Sequence, residues 1–115
     1  MKIIIVSNNP SVLEGCHDVL MVQGDPRAVL QKARDLVHQG WSLFSHPFHG
    51  NMRLLRNPYR SLILKDNQGE TDAGSVLSIG EACSRLRSVR FDTLEESLED
   101  YRDIDKDLLD SSFSE

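Results

Sequence analysis

The chain alternates between short continuous apolar runs and longer stretches where apolar residues recur every three or four positions. Runs of the first kind predict strands. Met1–Ser7 is rich in β-branched residues and apolar on both faces, the pattern of a strand buried centrally in a parallel sheet. Asn8-Asn9-Pro10 closes it with turn chemistry. Asp18–Gln23, Trp41–Ser45 and Tyr59–Lys65 are the second, third and fourth predicted strands.

Stretches of the second kind predict helices. Asp25-Pro26 opens one: Asp25 can accept backbone N–H bonds as N-cap, and Pro26 at N1 gives up a donor that has no helical partner anyway. Val29, Ala33, Leu36 and Val37 then recur at helical spacing, and Gly40 is placed to end the helix as its C′ residue. Asp72–Val89 is a second helix, with Val76, Ile79, Cys83 and Leu86 on one face. Its start is open, because Ser78 and Glu81 form a capping-box pattern that would begin it at Ile79. Thr93 and Glu96 form another such box, and behind it Leu94, Leu98, Tyr101, Ile104 and Leu108 make one apolar stripe on a helix over about 93–109. This alternation predicts one α/β domain over residues 1–115, with a four-stranded, mostly parallel sheet flanked by helices.

Charge changes the picture. The formal net charge of −5 conceals two unlike parts. Residues 92–115 carry ten acids against two bases, while residues 1–91 carry eleven bases against eight acids. The acidic tail repels phosphates, so nucleic acid is not an expected partner. No apolar run approaches the roughly 20 residues that span a bilayer, and the apolar stretch Ile3–Val6 falls short of a signal peptide's core. The expectation is a cytoplasmic protein with no membrane partner. Cys16 and Cys83 stand apart without metal or redox spacing and read as reduced core thiols.

Within this acidic chain, Leu36–Lys65 contains no Asp or Glu. The window holds His46-Pro47-Phe48-His49-Gly50-Asn51, then Arg53, and then Arg56-Asn57-Pro58-Tyr59-Arg60. A long loop of this kind is usually functional, and its positive charge points to an anionic partner. If the strands are parallel, the segments at Asn8-Asn9, Gly24-Asp25, His46 and Tyr59 converge at their carboxyl ends, where open α/β sheets bind ligands. The candidate ligand-binding residues are therefore Asn8, Asn9, Asp25, His46, His49, Arg53, Arg56, Asn57, Tyr59 and Arg60. His46 can serve as acid or base, and the arginines can hold a carboxylate or phosphate bidentately. The structural alternative is that Asn8 and Asn9 close a turn and His46 braces the loop.

No catalytic residue is assigned. Two histidines three apart, with no nearby acid, do not make a zinc set. Ser45 and Ser61 lie in no nucleophile elbow. Gly69, Gly74 and Gly80 show no phosphate-loop spacing, so no nucleotide cofactor is implied. The acidic face of the last helix is either a solvated face or a docking surface for a basic partner, including the 53–60 loop of a second copy.

Asn8-Asn9-Pro10, the helix end Arg34-Asp35-Leu36-Val37-His38 with Gly40, and His46-Pro47, Gly50 and Pro58-Tyr59-Arg60-Ser61 together resemble the GrdX family. The resemblance runs over residues 3–64 and extends more loosely into the C-terminal helices. These small proteins are encoded with the glycine, sarcosine and betaine reductase complexes of amino-acid-fermenting anaerobes. The resemblance implies an accessory or regulatory, non-catalytic role beside such a reductase, with its subunits as partners. One alternative is a small enzyme or sensor that binds a carboxylate or phosphate at the strand ends. Another is a structural homodimer adaptor.

Overall fold

A computed structural model describes residues 2–12, 17–44 and 56–114. Among these residues, β1 (Ile3–Ser7), β2 (Asp18–Met21), β3 (Trp41–Leu43) and β4 (Ser61–Asp66) form one sheet in the order β2-β1-β4-β3. The helices are α1 (Pro26–His38), α2 (Ala73–Leu86) and α3 (Glu95–Ser114). β1 and β2 run parallel, but β4 lies between β1 and β3 and is antiparallel to both. The sheet is mixed, which corrects the expectation of a mostly parallel one. β1 is central, as its apolar run implies. A run apolar on both faces reports burial on both faces and carries no information about direction. Direction is seen in the pairing itself: β3 and β4 are antiparallel, with Trp41 opposite Asp66 and Leu43 opposite Leu64.

The register sorts the side chains into two layers. Ile4, Val6, Leu62 and Leu64 face one way, against Val29, Leu30, Ala33, Leu36 and Val37 of α1 and Ile79, Ala82 and Leu86 of α2. Complete burial of a side chain such as Leu30 stabilises the fold by about 1.5–3 kcal/mol. Ile3, Ile5 and Ile63 face the other way, with Val12, Val19 and Leu109 of α3. The sheet is thus covered by two helices on one side and by α3 on the other.

The caps follow the sequence closely at α1. Asp25 Oδ1 accepts from the N–H groups of Arg27 (2.9 Å) and Ala28 (3.3 Å). Gly40, at φ +104°, follows the C-cap Gln39. A Cβ there would lie 2.3 Å from the Gly69 Cα, so the αL conformation and the close turn both require glycine. For α2 the open choice is resolved in favour of Asp72, whose carboxylate accepts from Ser75 N (3.0 Å). This helix ends at Leu86, three residues before the expected Val89, and Arg27 caps that end: Nε donates to Leu86 O (2.9 Å), the last carbonyl of the helix, and Nη2 to Val89 O in the segment that follows.

α3 docks along a line different from the expected stripe. Leu94 is 60% exposed and Ile104 36%, whereas Asp105 and Leu109 are each 6% exposed. The face toward the sheet runs through Tyr101, Asp105 and Leu109, one position round from the purely apolar line. The polar partners waiting for Asp105 account for this rotation.

Candidate functional site

The carboxyl ends of β1 and β2 and the amino end of β4 share one edge, since Ser7 is in register with both Met21 and Ser61. Three asparagine side chains tie the segments there together. Asn8 Nδ2 donates to Gly24 O (2.9 Å) and Pro58 O (2.8 Å), and its Oδ1 accepts from Arg60 N (2.8 Å). A single amide thereby joins the β2–α1 turn to the approach to β4. Asn57 Oδ1 accepts from Tyr59 N (2.9 Å), and its Nδ2 donates to Tyr101 O (3.1 Å). Asn9 is fully buried. Its Oδ1 accepts from Ser11 N (2.9 Å), and its Nδ2 donates to Arg102 O (2.9 Å) and to Asp105 Oδ2 (3.0 Å). An amide offers two donor hydrogens and an acceptor, which is why Asn can bridge in this way.

Asn9 belongs to a buried polar chain beneath α3. Ser61 Oγ donates to Asp105 Oδ2 (2.6 Å) and lies 2.8 Å from Ser7 Oγ, which in turn accepts from Asn9 N (2.9 Å). Burial raises the Asp105 carboxyl above its ordinary range, against the opposing pull of Ser61, Asn9 and the Arg60 charge. Arg60 is 8% exposed. Burial lowers its guanidinium pKa while the nearby Asp105 charge raises it, so the two groups partly compensate. Sequence reading missed Asp105 because it is one of ten acids in the tail. Nothing in its neighbourhood marks it out, since the partners that draw it inward, Asn9 and Ser61, are distant in the chain.

The linker between α2 and α3 closes around the same edge. Arg56 Nε donates to Arg90 O (3.2 Å), and its own carbonyl accepts from Asp92 N (2.9 Å). Asp92 accepts from Leu94 N (3.1 Å) and Tyr101 Oη (2.9 Å); these bonds hold its carboxylate below the usual range, and the second raises the Tyr101 phenol. Asp92 thereby sets the entry to α3, which begins at Glu95, two residues beyond Thr93.

Between the β1, β2 and β4 ends and this linker lies an open groove of about 710 Å³. Asn8, Gly24, Asp25 and Arg27 line one part of it; Pro58, Tyr59, Val89, Arg90, Phe91, Thr93 and Leu98 line the rest. The Arg27 guanidinium lies over the Phe91 ring, 4.7 Å from its centroid, and also pairs with Asp25 (Nη1 to Oδ2, 2.9 Å). Arg102 Nη1 donates to Tyr59 Oη (3.2 Å). The edge therefore brings Asn8, Asp25 and Tyr59 into one groove. Asn9 and Arg60 lie instead with Asp105 under α3, Asn57 is tied to α3, and Arg56 is exposed against the linker. His46, His49 and Arg53 lie outside the described residues, as does Cys16. Among the described residues no helix is long and apolar enough to cross a membrane.

The family model described as GrdX-like protein matches residues 4–114. The chain belongs to the GrdX-like family. No curated protein and no solved structure matches it. The GrdX-like match extends beyond β4 through α2 and α3. It therefore takes in both the helix that supplies Asp105 and the linker that supplies Phe91.

Proposed function

We propose that this GrdX-like protein is an accessory or regulatory component of a glycine, sarcosine or betaine reductase system, acting by binding rather than by catalysis in the cytoplasm of an amino-acid-fermenting anaerobe. The observation that carries the reading is the family match over nearly the whole chain. The geometry supports a binding role: the amides of Asn8, Asn9 and Asn57 are spent on internal ties, and what these ties hold in place is an open groove. The test is direct mixing of the purified protein with each purified reductase subunit and with the assembled complex, read by size-exclusion chromatography with light scattering and by reductase turnover. Co-elution with one subunit, or a reproducible change in turnover, supports the role. Independent elution from every subunit and unchanged turnover would remove it.

A second reading is a sensor of a small carboxylate or phosphate. It is favoured by the groove's place at the carboxyl ends of β1 and β2, where ligands of open α/β sheets bind. Calorimetric titration with glycine, acetyl phosphate and inorganic phosphate tests it separately.

A further inference from the structure

The polar atoms of the groove differ sharply in what they have left to offer. Asn8 uses its donors on Gly24 O and Pro58 O and its oxygen on Arg60 N. Asp25 uses one oxygen on the first turn of α1 and the other on Arg27. The α1 N-terminus is therefore already capped by a carboxylate and is not an anion site. Arg27 donates to Asp25 and to carbonyls at the end of α2, leaving the flat face of its guanidinium stacked on Phe91. What remains is an apolar interior, made by Pro58, Val89, Phe91, Leu98 and the ring of Tyr59, the hydroxyls of Thr93 and of Tyr59, the latter accepting from Arg102, and one exposed guanidinium at the rim, Arg90, which makes no ion pair among the described residues. The lone acid in the lining is Asp25, already paired, so the groove is net positive.

A volume of about 710 Å³ lies within the range of roughly 300–1,000 Å³ typical of small-molecule sites. Two aromatic side chains and a stacked guanidinium suit a flat or branched apolar body. A single rim arginine suits one carboxylate, which it can hold bidentately. From this we infer that the groove binds an amphipathic monocarboxylate: an apolar, preferably aromatic, group seated beside Tyr59 and Phe91, with its carboxylate on Arg90. This deepens the sensor reading and rests on it. It excludes as the preferred ligand a bare small anion, which would leave the apolar interior unfilled.

The test uses 3-phenylpropanoate as probe, 3-phenylpropanamide as its neutral counterpart, and acetate and inorganic phosphate as bare anions. Binding to the intact protein is measured by calorimetry and by amide chemical shifts. The expected result is that 3-phenylpropanoate binds and shifts the amides of Gly24, Tyr59 and Phe91. The amide counterpart should bind about ten-fold more weakly or worse, since hydrogen bonds to charged groups are the stronger ones. Arg90→Ala should weaken 3-phenylpropanoate by a similar factor and leave the amide counterpart unaffected, whereas Arg34→Ala, on the exposed side of α1, should change nothing. Leu98→Trp, which fills the groove, should abolish binding; amide spectra of the variant establish that it is folded, and Phe91→Ala serves in its place if it is not. Equal binding of acid and amide, or an unaffected Arg90→Ala, overturns the inference. So does binding of phosphate or acetate in preference to 3-phenylpropanoate, although that outcome leaves the sensor reading standing. Binding of none of these anions overturns the inference, while the sensor reading falls only if glycine and acetyl phosphate also fail to bind.

Discussion

Replacing Asn9 by Asp changes one atom of a fully buried side chain and removes both of its donors, while the bond its Oδ1 accepts from Ser11 N is kept. In the parent, Nδ2 donates to Asp105 Oδ2 at 3.0 Å and to Arg102 O at 2.9 Å. In Asn9→Asp a carboxylate oxygen faces each of those acceptors. Two bonds are lost, one of them to a charged group, which together cost about 3 kcal/mol. That is a large share of the roughly 5–15 kcal/mol that holds a domain of this size together. The penalty depends on pH. Two carboxylates about 3 Å apart in a buried site cannot both ionise, so the pair retains a proton. Its folded pKa is raised above the ordinary aspartate value of about 3.9. The stability such a group contributes is fully present below that unfolded value and is lost as pH rises through the raised folded one. Asp105, whose own carboxyl is already raised by burial, gives the parent a weaker dependence of the same sign. Urea unfolding of parent and Asn9→Asp at pH 4.5 and pH 8, with Asn9→Ala as the uncharged control, measures this. At pH 8 the variant's midpoint should fall by about 1–3 M, given slopes of about 1–3 kcal/mol per M. At pH 4.5 part of the deficit should return, because a protonated carboxyl can donate where the amide did. A deficit under about 0.5 kcal/mol at pH 8 would refute the reasoning, as would one equal at both pH values.

Asp25→Ala removes the cap of α1 and should cost about 0.5–2 kcal/mol, read as a lower thermal midpoint; a parent-like melt would show that the cap is dispensable. Gly40→Ala places a Cβ against Gly69 at positive φ and should cost at least about 2 kcal/mol by urea unfolding. Arg27→Ala frees the carbonyls at the end of α2 and should speed hydrogen exchange in its last turn while destabilising the fold by about 1.5–3 kcal/mol. Unchanged exchange there would mean that this cap does not hold the helix end.

Local chemistry made much of this protein legible before its fold was known. Asp25-Pro26 and Gly40 mark the ends of α1 because capping and positive φ depend on the residue itself and its nearest neighbours. The central place of β1 follows from its two apolar faces, and Asn8 and Asp25 share an edge because both follow parallel strands; Tyr59 joins them only because β4, which it precedes, runs antiparallel to β1. The GrdX resemblance was legible too, on short residue groups within residues 3–64, and the family match extends to residue 114. Strand direction was not legible, because burial on two faces reads the same for a parallel and an antiparallel central strand. Nor was the orientation of α3. Its apolar stripe pointed to Leu94 and Ile104, but Asp105 turns inward because Ser61 and Asn9, 44 and 96 residues away in the chain, supply its hydrogen bonds. Likewise the last carbonyl of α2 is capped by Arg27, 59 residues earlier. Such choices depend on partners that only the tertiary fold brings within hydrogen-bonding distance, so no window of sequence around either residue contains the information.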